Sequence, residues 1–208
     1  MSKIEAVVFD IGNVLIEWQP ERLYDAVIGE ARRREMFAAV DLHGMNDEID
    51  RGAPFKETIY DMAAATPEFG DEIRMWHDRW IEMARPAISH SVALLRRLRA
   101  KGIPVFSLTN FGIGSFDYAC TQYDFLTEFD RSYVSGHMGV IKPDPQIYAM
   151  VEADCGHAPG ALLFADDRAD NIAAAEARGW NGHLFDGPQG WADRLVAEGL
   201  LSASEAAA

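Results

Sequence analysis

Short apolar runs alternate with helix-spaced segments along most of the chain. Residues 4–9 read Ile-Glu-Ala-Val-Val-Phe, an apolar, β-branched run that stops at Asp10 and the turn signal Gly12-Asn13. This run predicts a buried strand that delivers Asp10 to its end. Similar runs recur at residues 103–108, 132–134 and 161–165, with a weaker one at 182–185. Helical spacing fills the intervals at 92–98, 115–125, 145–151 and 172–178. Strand alternating with helix predicts an α/β fold, a parallel sheet wrapped by helices.

Residues 16–87 break the alternation. They carry helix patterns only, at 20–30, 32–40, 55–65 and 71–83, punctuated by Pro54, Pro67 and Pro86. The stretch therefore reads as a helical insertion between the first strand and the rest of the sheet. On this division residues 1–15 and 88–208 form the core, and 16–87 form the insertion. A length of 208 residues suits one domain, or a core with a small insertion, and a chain of this size buries about 70% of its surface.

Charge narrows the partners. Nineteen Lys and Arg against 33 Asp and Glu leave −14, which disfavours nucleic acid and anionic membrane as partners. No run of 18 apolar residues suggests a span, and the N-terminus lacks a cleavable leader pattern. The two cysteines, Cys120 and Cys155, form no Cys-x-x-Cys, so a reduced, cytoplasmic protein is expected.

Open α/β sheets bind ligands beyond the carboxyl ends of their strands. The polar residues that follow the predicted strands are Asp10, Thr109 with Asn110, and Asp166 with Asp167; Lys142 precedes a helix that Pro145 suits. Singly, each has an ordinary use as a turn, a cap or a solvated charge. Together they bring three carboxylates, two neutral donors and one ammonium to one edge. Three crowded carboxylates repel strongly unless a cation or protons intervene, and a hard divalent ion such as Mg²⁺ answers this with oxygen ligands.

These residues resemble the haloacid dehalogenase-like hydrolases. Val7-Val8-Phe9-Asp10-Ile11-Gly12-Asn13-Val14-Leu15 resembles the first motif of that family, Ser107-Leu108-Thr109-Asn110 the second, and Val140-Ile141-Lys142-Pro143 the third. Phe164-Ala165-Asp166-Asp167-Arg168-Ala169-Asp170-Asn171 resembles the acidic fourth. The resemblance implies a three-layer Rossmann-like core with a small α-helical cap inserted after the first strand. It implies Asp10 as covalent nucleophile and Lys142 as the charge-neutralising residue, with Thr109 and Asn110 holding the transferring group. The metal set it implies is Asp10, the Gly12 carbonyl, Asp166 and Asp167, with Asp167 the leading ligand; Asp170 and Asn171 would support or cap.

Gly12 departs from the commonest family pattern, which has an acid/base Asp two residues after the nucleophile. The Phe-Asp-x-Gly-Asn-Val form is similar instead to a bacterial sugar-1-phosphate phosphatase branch. The resemblance therefore favours a Mg²⁺-dependent phosphatase of a small phosphorylated metabolite. It sets this above two alternatives, a metal-independent 2-haloacid dehalogenase and a catalytically weak phospho-ligand binder. Dehalogenases of the family typically carry neutral Ser and Asn where this chain has Asp166 and Asp167. Without an acid at position 12, the leaving oxygen must depart with little protonation or borrow a proton from water or a cap residue, so good leaving groups should be preferred. Trp76, Trp80 and Met83 read as core of the insertion, the cysteines as small core residues, and Gly112-x-Gly114 as a weak phosphate-loop signal.

Overall fold

The computed structural model describes residues 3–207. Five strands, β1 (Ala6–Phe9), β4 (Val105–Thr109), β5 (Arg131–Val134), β6 (Leu162–Asp166) and β7 (Asn181–Leu184), form a parallel sheet in the order β5-β4-β1-β6-β7. The chain winds outward from β1 through β4 to β5, then returns to lay β6 and β7 on the other side of β1. That reversal is the place where α/β sheets open a ligand crevice.

The sequence of β1 explains its central place. All four residues are buried, because a parallel strand between two helix layers has no solvent face. Side chains alternate across the pleat: Val7 and Phe9 join one apolar cluster, Ala6 and Val8 the other. The first cluster is completed by Leu94, Leu95 and Leu98 of α7 (Ser89–Ala100) and Trp191 of α12 (Pro188–Ala197). Trp191 meets Phe9 edge-on at 5.5 Å. The second cluster takes Ile147, Tyr148 and Val151 of α10 (Pro145–Cys155), with Ile172 and Ala175 of α11 (Ala169–Ala177). Each fully buried aliphatic or aromatic side chain contributes about 1.5–3 kcal/mol relative to exposure.

The insertion carries α1 (Pro20–Ile28), α2 (Glu30–Ala39), α3 (Leu42–Asp50), α4 (Phe55–Ala65), α5 (Gly70–Asp78) and α6 (Trp80–Met83). Three features differ from the expectation of helices alone in 16–87. Two short strands, β2 (Ile16–Trp18) and β3 (Ala84–Ala87), pair antiparallel where the chain leaves and re-enters the core. The helix expected over 71–83 breaks at Arg79, whose φ of −122° and ψ of 20° lie outside the helical region. Helix α3 lies where no helix was expected. Its composition is poor in helix formers, but Asp41 caps it by accepting from the Gly44 amide at 2.8 Å. Leu42, Met45 and Ile49 supply its buried stripe.

Helices α8 (Ile113–Gln122), α9 (Ser135–Met138) and α13 (Ala203–Ala206) complete the fold. No helix among the described residues is long and apolar enough to cross a membrane. Cys155 is buried, Cys120 is partly buried, and both are free thiols.

Candidate active site

The parallel ladder sets the level at which the charged residues emerge. Phe9 lies opposite Ser107 on one side and Ala165 on the other, so Asp10 stands level with the end of β6. The Asp10 amide still donates to the Ala165 carbonyl at 2.9 Å, which holds its backbone to the sheet. Asp166 ends β6, Thr109 ends β4, and both side chains are buried. Asp10, Asp166 and Asp167 each offer an oxygen within 4.8 Å of the others.

Lys142 enters from the loop before α10 with its side chain buried. Its Nζ lies 2.6 Å from Asp166 Oδ2, 3.0 Å from Asp10 Oδ1 and 2.8 Å from the Leu108 carbonyl. Asn110 braces this loop: its Nδ2 donates to the Lys142 carbonyl at 2.9 Å, and its Oδ1 accepts from the Lys142 amide at 2.7 Å. Asn110 thus has both side-chain polar atoms engaged in positioning Lys142, not turned freely to a ligand as expected.

Asp166 is the most heavily bonded carboxylate. Oδ1 accepts from the Arg168 amide and Asn171 Nδ2; Oδ2 accepts from Lys142 and Asn171 Nδ2. Asp167 is freer, accepting from Asn13 Nδ2 at 2.9 Å. Asn13 has φ 54°, a left-handed conformation that Asn tolerates, and its Oδ1 accepts from the Trp18 amide. It therefore ties the turn after β1 to the loop after β6. Asp170 pairs with Arg168 and stays apart from the carboxylate cluster.

Burial and charge crowding shape the titration. Burial pushes the Asp10 carboxyl up to about 7; Lys142 opposes this, and the charges of Asp166 and Asp167 reinforce it. Asp167 is raised by burial against the Asn13 hydrogen bond. Burial acts to lower Lys142, but the charges of Asp10 and Asp166 and their hydrogen bonds outweigh it and hold the ammonium above its ordinary value.

These residues open into a cavity of about 520 Å³ whose far wall is built by the insertion. Trp18, Trp76 and Trp80 give that wall an aromatic surface, which Phe111 extends from the core loop after β4, and α3 adds His43, Asn46, Asp47 and Asp50. Trp76 and Trp80 are buried as expected for core of the insertion, yet they also line the cavity. The residues of α3 and Asn13 went unassigned in the sequence. The Asp41 cap with apolar positions 42, 45 and 49 was the signal for α3. Gly112 serves packing: a Cβ there would meet Ile49 Cγ2 of α3 at 2.4 Å.

Known proteins share this architecture. The family model for haloacid dehalogenase-like hydrolases matches residues 4–179. A sesquiterpene phosphatase of Aspergillus oryzae is 26% identical over 89% of this chain and 92% of its own. The D-ribitol-5-phosphate phosphatase of Bacteroides thetaiotaomicron is 22% identical over 93% of this chain and 97% of its own. An (S)-2-haloacid dehalogenase of Pseudomonas fluorescens is 30% identical, but over 41% of this chain and 38% of its own. A HAD family enzyme of Bacteroides thetaiotaomicron, solved with magnesium and inorganic phosphate, superposes with a TM-score of 0.70 at 23% identity. That match covers 88% of this chain and 95% of the other, and it establishes the shared fold.

Proposed function

The chain belongs to the haloacid dehalogenase-like hydrolases, and from that premise we propose that it is a Mg²⁺-dependent phosphatase of a small phosphorylated metabolite. The observation that carries this is the trio Asp10, Asp166 and Asp167, whose oxygens crowd within 4.8 Å beside a single buried ammonium. A hard divalent ion fits such an all-oxygen donor set. Asp10, Asp167 and the Gly12 carbonyl would hold it, and Asp166, whose oxygens already accept four hydrogen bonds, would support from behind. When bound, Mg²⁺ supplies positive charge that offsets the carboxylates and the phosphoryl oxygens.

The residues then divide the work. A carboxylate oxygen of Asp10 attacks phosphorus, giving an aspartyl-phosphate that water hydrolyses. The Thr109 hydroxyl and the backbone beyond β4 donate to the phosphoryl oxygens. Lys142, kept protonated by its two carboxylate partners, faces the charge that develops there. Asn110 positions Lys142 and takes part through its backbone.

Phosphatase relatives that span most of this chain support the reading, as do the two acidic residues at 166 and 167. The substrate is expected among monophosphate esters whose leaving group can rest on the aromatic wall. The test is phosphate release from a panel of sugar, polyol, aryl and prenyl monophosphates, with Mg²⁺ and with EDTA. Release that needs Mg²⁺ supports the proposal. Halide release from 2-haloacids without metal would replace it with dehalogenation.

A further inference from the structure

Hydrolysis of a phosphate ester moves protons twice: the leaving oxygen gains one, and the attacking water loses one. The ionisable residues that line the cavity are Asp10, His43, Asp47, Asp50, Lys142, Asp167 and Arg168. Asp10 is the nucleophile, Asp167 serves the metal, and Lys142 is locked between two carboxylates. Arg168 pairs with Asp170 at the exposed rim, and His43 and Asp47 are exposed. Asp50 remains, buried at 8% exposure.

We propose that Asp50, carried to the cavity by the helical insertion, is the catalytic proton carrier of the reaction. In the first step Asp10 forms a bond to phosphorus as the ester P–O bond breaks; the leaving oxygen keeps that electron pair and takes the proton of Asp50. In the second step the Asp50 carboxylate accepts a proton from water as the water oxygen bonds to phosphorus. The P–O bond to Asp10 breaks, its electron pair returns to the Asp10 carboxylate, and Asp50 ends protonated again. The inference rests on the phosphatase reading above.

The surroundings hold Asp50 firmly and without a countercharge. Asn46 Nδ2 donates to Asp50 Oδ2 at 2.8 Å, and the Asn46 amide is itself oriented by Trp76 Nε1, which donates to its Oδ1 at 3.1 Å. The Asp50 carbonyl accepts from Ser135 Oγ at 2.6 Å. Glycines bring α3 against the core on either side: a Cβ at Gly52, where φ is +107°, would lie 2.7 Å from the Gly136 carbonyl, and Gly112 admits Ile49. Among the described residues no Lys, Arg or His pairs with Asp50. Burial pushes its carboxyl up to about 7, with the charges of Asp47 and Asp10 adding to this and the Gly112 amide and Lys142 opposing. Both protonation states are therefore accessible near neutral pH, as a group that gives and then takes a proton requires.

The test compares two esters on full-length enzyme with Mg²⁺. 4-Nitrophenyl phosphate has a leaving group that departs without a proton; 2-phenylethyl phosphate has one that needs it. Asp50→Asn should cut kcat/KM for the phenylethyl ester about 10²–10⁴-fold and leave that for the nitrophenyl ester little changed, because general-acid help is absent only where it was needed. Asp50→Ser gives the same ratio test should Asp50→Asn melt below the assay temperature. Equal losses on both esters, or none on either, would overturn the assignment to Asp50 while leaving the phosphatase standing. A wild-type enzyme that releases phosphate from neither ester nor from any member of the monophosphate panel would overturn the phosphatase, and Asp50 with it.

Discussion

The carboxyl edge of the sheet and the helical insertion meet at one cavity, but they are organised by different forces. At the edge, backbone ladders set the positions: the parallel register makes Asp10 level with Asp166, and Thr109 ends β4 one residue further along. Lys142 and Asn171 then pair with what the ladder presents. On the insertion side, packing sets the positions: Ile49 fills the space that Gly112 leaves, and Trp76 orients Asn46, which orients Asp50. The edge carries charge that must be neutralised for reaction. The insertion carries a mostly uncharged aromatic wall and one buried carboxyl. On the function proposed above, phosphorus chemistry falls to the edge and leaving-group handling to the insertion.

Breaking the edge should have the largest effects. Asp10→Asn replaces the proposed nucleophile with an amide of the same shape, so phosphate release should fall to background while circular dichroism shows the fold retained. Lys142→Ala should lower kcat about a hundredfold, the equivalent of roughly 3 kcal/mol for one preorganised donor. It should also lower the melting temperature of the metal-free protein, because Asp10 and Asp166 then face each other buried without their cation. An unchanged kcat would remove Lys142 from the site.

Within the edge, hydrogen bonding ranks the acidic residues. Calorimetric titration with Mg²⁺ should show Asp167→Ala weakening the ion most, Asp166→Ala less, and Asp170→Ala least, since Asp170 is spent on Arg168. The reverse order would move the metal toward Asp166.

The smallest expected effect sharpens the other half of the comparison. In the metal-free protein the Asp50 carboxyl titrates at about 7 against an ordinary 3.8, so between these values the folded state binds more protons than the unfolded. Stability from this group is therefore full below the lower value and is lost as pH rises through the upper one. Asp50→Asn removes that cost. Its melting temperature relative to wild type should rise between pH 5 and pH 8, as followed by thermal denaturation. A difference independent of pH would show that Asp50 titrates as an ordinary carboxyl.

The contrast also explains what could be read in the sequence. Strand ends are local: an apolar β-branched run followed by a polar residue already places Asp10, Thr109 and Asp166 on one edge, as the register shows. Helix α3 left only a faint signal, the Asp41 cap and the apolar positions 42, 45 and 49, because Gly44, Asn46 and Asp47 between them are weak helix formers. Strands β2 and β3 are three and four residues long and pair across the whole insertion, a contact no local pattern reveals. The break at Arg79 and the use of Asn110 as a brace likewise depend on partners distant in sequence. The proton that Gly12 cannot supply was expected from water or a residue of the insertion, but only the packing of α3 brings Asp50 to the cavity.

The central claim is that Asp10 carries the phosphoryl group. The direct measurement is borohydride reduction of enzyme quenched during Mg²⁺-supported turnover of 4-nitrophenyl phosphate, followed by peptide mass spectrometry. An aspartyl-phosphate at Asp10 would be converted to homoserine at that position, and a sample held in EDTA would show unmodified Asp10. Steady phosphate release with Asp10 unmodified in both samples, or homoserine at another aspartate, would contradict the account.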